Sequence, residues 1–147
     1  MINRDRLVKT FCDLVSIDSP SGEEDEIAAE LMHRLEALGL NVTCDNYGNV
    51  IANDGRANPL MLSAHMDTVE PGRGINPSVD GDRIVSDGNT ILGGDCKAGI
   101  SAIMEALESI KEDDTSHVPL EVVFTREEEV ALVGARNLDF SKVTSKE

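Results

Sequence analysis

The apolar positions of this chain fall into two periods, and the switch between them outlines its elements. Leu7, Val8, Phe11, Leu14 and Val15 recur three and four residues apart, which predicts an amphipathic helix ending before Pro20. In SPSGEEDEIAAELMHRLEALGL a second stripe runs through Ile27, Leu31, Leu35 and Leu38. Ser21 is placed to cap that helix with Glu24 reaching back, the acidic run suits its positive end, and Gly39 stops it. The acids of EEDE are therefore read as helix-start residues rather than as a cation site.

Shorter β-type runs follow. NVTC near 41–44 and NVIAN near 49–53, separated by the turn-like DNYG, predict a hairpin. PLMLSA reads as a parallel strand buried on both faces, and RIVS near 83–86 as a short strand between DGD and DGN turns. Ile100, Ile103, Met104, Leu107 and Ile110 mark a third helix. VPLEVVFT is the last strand, with a short helical pattern through Leu132, Val133 and Leu138 behind it. Helices alternating with strands predict an α/β layered fold, and the chain contains no internal repeat, low-complexity tract or linker.

Composition narrows the function. A chain of 147 residues with 40% apolar content can bury one core. Twenty-eight acidic residues against 13 basic ones give a net charge of −15, which repels nucleic-acid phosphates and anionic lipid headgroups. The same acidity suits a high-salt milieu or simply a solvated surface. Cys12, Cys44 and Cys96 match no zinc or disulfide spacing, so reduced thiols are expected. The N-terminal segment has neither signal-peptide nor transit-peptide character, and no apolar run approaches the roughly 20 residues needed to span a membrane. A soluble, cytoplasmic protein is expected.

Three segments carry candidate chemistry. In SAHMDTV, His65 and Asp67 stand two apart at a strand end, so they share a face. That spacing suits a metal-binding imidazole with its orienting carboxylate, or equally a hydrogen-bonded pair capping the strand. In ILGGDCKAG, Asp95 sits between a glycine pair and a helix start, either as a cap or as a carboxylate able to bridge two cations. A phosphate cradle is the weaker reading there, because the glycines and Lys97 do not fit the P-loop spacing. In FTREEEVALVGA, three successive glutamates follow a strand, an arrangement that calls for solvent, protonation or cations. All three lie where α/β folds gather their sites.

Taken together, SAHMDTV, VSDGNTILGGDCKAG and FTREEEVALVGA resemble the co-catalytic zinc aminopeptidases and acylases of the peptidase T, carboxypeptidase G and aminoacylase superfamily, and peptidase T-like proteins most of all. The resemblance implies an α/β three-layer sandwich, with a mixed, largely parallel sheet flanked by helices. It implies two zinc ions per complete site, with cobalt or manganese as alternatives, and a short-peptide substrate. On its terms His65 binds one zinc, Asp67 orients His65, Asp95 bridges both ions, Glu128 is the general base and Glu129 ligates the second zinc. Glu127 is then a bystander.

Relatives of this kind tend to carry aspartate where this chain has Cys96 and glycine where it has Ala131, both neighbours of ligands rather than ligands on the terms of the resemblance. Their site also takes an aspartate shortly after the glutamate pair and a histidine near the far C-terminus. Their inserted second domain contributes to substrate binding and homodimerisation. Residues 1–147 are accordingly expected to be the N-terminal part of a catalytic domain, poorly active alone. His33 on the second helix and His117, roughly 25 Å from the glutamates at about 3.3 Å per strand residue, are not expected to replace the missing ligands. An N-acyl amino acid deacylase and a non-catalytic cation-binding or association module are the alternatives.

Overall fold

The first stripe forms α1, Arg4–Val15, in the computed structural model, which describes residues 1–114 and 116–146. Asn3 caps this helix by accepting from the Arg6 amide, and Phe11, Leu14 and Val15 are its buried face. The second stripe forms α2, Asp25–Ala37, which buries Ile27, Ala28, Leu31 and Leu35. Gly39 ends it at φ +91°, a left-handed conformation that glycine adopts without steric cost. The start of α2 departs from expectation. Glu24 stands at the N-cap without a side-chain cap bond and Ser21 turns away to Asp67, so only Asp25 and Glu26 occupy the first turn.

The expected hairpin is present: β1, Asn41–Cys44, pairs antiparallel with β2, Val50–Asn53. Asp45 shapes its turn by accepting from the amides of Tyr47, Gly48 and Asn49 with one oxygen. β3, Leu60–His65, and β6, Leu120–Thr125, run parallel, and β6 pairs antiparallel with β2. The sheet order is β1-β2-β6-β3. It is a mixed sheet in which the β3–β6 pair is the parallel component. A separate hairpin joins β4, Ser78–Asp80, to β5, Arg83–Val85, so the expected strand at RIVS finds a partner that its own pattern did not announce.

β3 corrects one expectation. It is an edge strand rather than one buried on both faces, and Leu60 is 52% exposed. β6 holds the interior position, with all six of its residues buried. An apolar run reports hydrophobicity but not how many neighbours a strand will have.

One face of the sheet presents Val50, Ala52, Ala64, Val122 and Phe124 to Leu14 of α1, the stripe of α2, and Ile100, Met104 and Leu107 of α3, Gly94–Asp113. Each Val, Leu, Ile, Met or Phe among them contributes roughly 1.5–3 kcal/mol on burial, and each alanine less. The other face is crossed by residues 139–146. There the amide and hydroxyl of Thr144 donate to the buried Glu121 carboxylate, and Lys142 Nζ donates to the Cys44 carbonyl. Among the described residues the layers are thus the sheet and one tier of helices. No helix among them is long and apolar enough to cross a membrane.

Candidate metal centre

The parallel register brings the chemistry together. His65 ends β3 directly beside Thr125 at the end of β6, and the Met66 amide donates to the Thr125 carbonyl. The residues following the two strands therefore emerge side by side at one edge of the sheet. Asp67 and Glu128–Glu129 meet there.

Asp67 is wholly buried and ties the two segments together. One carboxylate oxygen lies 3.2 Å from His65 Nδ1 and accepts from the Glu128 amide at 2.9 Å. The other accepts from Ser21 Oγ at 2.6 Å and from the Glu129 amide at 3.1 Å. Burial by itself raises the pKa of this carboxyl, but the bonds from His65, Ser21 and the two amides outweigh it and hold the pKa down to about 2.

With Nδ1 turned to Asp67, the Nε2 of His65 faces the carboxylates. It stands 3.0 Å from Asp95 Oδ1 and 3.9 Å from Glu128 Oε2. Burial disfavours the charged ring, yet hydrogen bonds to Asp67 and Asp95, with the Glu128 charge nearby, push its pKa up to about 9.

Asp95 arrives from the opening of α3. Gly93 is left-handed, Asp95 and Cys96 have non-helical backbone angles, and the peptide bond between them is cis. Regular helix follows, and its first turn is anchored by Lys97. That side chain is fully buried, its Nζ donates to the Ile17 carbonyl at 2.8 Å, and desolvation lowers its pKa to about 8 against the opposing charge of Asp18.

The three glutamates divide. Glu127 has φ +48°, its amide donates to Glu24, and its carboxylate accepts from the Tyr47 hydroxyl, so it faces away from His65. Glu128 and Glu129 turn inward, and each offers an oxygen within 4.8 Å of the other and of a His65 nitrogen. Burial, together with the charges of Asp95, Glu128 and Asp67, raises the pKa of Glu129 against the opposing pull of His65. A second donor group joins His65, Asp95 and Cys96, again with all ligand atoms within 4.8 Å of one another.

Two supporting residues lie outside the reach of the sequence pattern. Glu24 is fully buried; one oxygen accepts from the Gly22 and Glu127 amides, and the other stands 2.8 Å from Arg126 Nη2. Ser21 bonds to Asp67 instead of capping α2. A Ser-x-x-Glu spacing reads as a capping box, and nothing in it points to partners 46 and 102 residues away. The spare histidines stay apart: His33 is exposed on α2, and His117 interacts with Arg56 ahead of the far end of β6.

The donor set suits divalent cations. Among the described residues, the ion pairs of Asp95 and Glu128 are with His65 alone, so one buried imidazole stands against several carboxylates, of which Asp95 is 85% and Glu128 38% exposed. Such a cluster is able to hold cations, and its hard oxygens, imidazole and thiol match zinc and its first-row neighbours.

Fold and site together define an α/β domain with a carboxylate–imidazole cluster, a candidate cation centre, at the end of a parallel strand pair. The chain belongs to Peptidase family M20/M25/M40, and residues 61–139 carry the match, including every residue of the candidate centre. It is 37% identical to the uncharacterized protein YqjE of Bacillus subtilis, covering 99% of this chain and 42% of that one. It is similar in structure to a tripeptidase from Staphylococcus aureus (TM-score 0.93, 39% identity). A comparable likeness holds to aminopeptidase PepT from Bacillus cereus (TM-score 0.93, 40% identity). In both structural matches 99% of this chain is covered, and the chain spans 42% of the solved one.

Proposed function

We propose that this chain carries part of the active site of a cytoplasmic, metal-dependent peptidase acting on short peptides in the aminopeptidase or tripeptidase manner. The observation that carries the reading is His65 Nε2, held 3.0 Å from Asp95 and 3.9 Å from Glu128 while Asp67 engages the other ring nitrogen. His65, Asp95 and Glu129 are the residues that would hold two zinc ions. Bound there, the ions supply Lewis acidity to the scissile carbonyl and lower the pKa of water.

The chain's own residues do the rest. Asp67, kept ionised by its four hydrogen-bond partners, fixes the tautomer that leaves Nε2 free for a metal. Glu128 takes a proton from the attacking water and passes it to the leaving amine. Its amide is bonded to Asp67, so the base and the imidazole share one support. The identity and coverage of the tripeptidase and PepT matches support a peptide substrate, and their greater length supports a site completed by further residues.

The test compares the natural full-length protein with its Glu128→Gln variant on a tripeptide and on an N-acyl amino acid. Loss of about 10²–10⁴ in kcat on the tripeptide, with zinc content retained, is expected for a general base. Unchanged turnover removes Glu128 from the mechanism, and a preference for the acyl amino acid makes the protein a deacylase. The 147-residue chain alone is expected to cleave tripeptides poorly; robust cleavage contradicts the reading of a shared site.

A further inference from the structure

We propose that Cys96 is itself a metal ligand, completing with His65 and Asp95 a three-donor site of mixed sulfur, nitrogen and oxygen character. This rests on reading the cluster as a metal centre. Cys96 Sγ, a His65 ring nitrogen and an Asp95 oxygen already lie within 4.8 Å of one another. Donor atoms on a tetrahedral zinc stand about 3.3–3.6 Å apart, given bonds of about 2.0–2.3 Å. Closing round an ion therefore moves each donor by about an ångström or less. The sulfur also has a place made for it. A Cβ on Gly99 would come within 2.8 Å of Sγ, so the bare glycine is what leaves room for the thiol beside the centre.

The two donor groups then divide the labour. Nδ1 of His65 is committed to Asp67, which leaves one ring nitrogen for one ion. With Nε2, Cys96 and one Asp95 oxygen for the first ion, the second Asp95 oxygen and Glu129 remain for the other, and Glu128 stays free to act as the base. The first position is soft and the second is all oxygen, so the first favours zinc or cobalt over manganese. On coordination the S–H bond breaks, a sulfur–metal bond forms, and the proton leaves to solvent; no electrons are transferred. The plain competing role is packing, since Cys96 also touches the apolar core as a small hydrophobic side chain.

Cobalt separates the two roles without any assay of peptide cleavage. The purified chain, titrated with Co²⁺, is expected to show a thiolate-to-cobalt charge-transfer band in the near ultraviolet besides the weaker visible bands. The band is expected to vanish in Cys96→Ser and to persist in Cys12→Ser and Cys44→Ser. The zinc-over-manganese affinity ratio of Cys96→Ser is expected to fall by about tenfold or more. Visible cobalt bands without the near-ultraviolet band, or a band that survives Cys96→Ser, overturn the thiolate ligand while leaving the metal centre standing. Failure of the parent chain to bind cobalt at all overturns both.

Discussion

His65 shows how strongly one residue's surroundings set its chemistry. In the metal-free chain its pKa is pushed from 6.5 to about 9, because its hydrogen bonds to Asp67 and Asp95 outweigh burial. The charged ring therefore contributes to folding in full below pH 6.5, and that contribution is lost as pH rises through about 9. The difference in urea midpoint between the metal-free parent and His65→Asn is expected to be largest below pH 6.5 and to shrink to a pH-independent remainder above about 9. On the proposed reading zinc would compete with that proton, and its affinity is then expected to rise across the same window by up to about tenfold per pH unit. A pH-independent zinc affinity would mean that the imidazole is not the ligand. Ala131 is a second residue-scale case. It sits at φ +78°, a left-handed conformation that costs a residue with a side chain roughly 1–2 kcal/mol. Ala131→Gly is expected to stabilise the chain by about 1 kcal/mol in urea denaturation.

Among the elements, the loop before α2 does most to join the parts of the site. Ser19 Oγ donates to the Met66 carbonyl, Ser21 to Asp67, and Glu24 receives both the Glu127 amide and the Arg126 guanidinium. A single six-residue stretch thereby holds the end of β3 against the turn after β6. Glu24→Ala leaves Arg126 partly buried without its main partner, though Asp25 still pairs with it. A loss of about 3 kcal/mol is expected, near the low end for breaking a buried pair. Adding Arg126→Met should recover much of it, and a cost below about 1 kcal/mol for Glu24→Ala would show the latch to be incidental. The helical stripes and the β1–β2 hairpin were legible in the sequence because their periodicity is local. The latch was not, because its two halves carry ordinary surface residue types.

At the scale of the whole molecule, the sheet leaves β1 and β3 as edges among the described residues, with Leu60 of β3 52% exposed. Unpaired edges with apolar side chains template association, while a net charge of −15 opposes it. Sedimentation of the 147-residue chain is expected to show self-association that grows with protein concentration and with added salt, as screening removes the repulsion. Leu60→Lys should suppress it by placing a charge on the edge. A monomer at every concentration and salt level would show the edge to be harmless.

Local pattern alone determined the order of the elements apart from β4, the α/β class and the three segments bearing His65, Asp95 and the glutamates. These follow from backbone periods and turn chemistry that act over a few residues. Tertiary structure decided that β6 rather than β3 is interior, that Glu127 faces Tyr47 while its two neighbours face His65, and that Ser21, Glu24 and Cys96 gather at the same edge. Each of these depends on segments dozens of residues apart being packed into contact, and that packing is set by the whole core rather than by any one stretch of it.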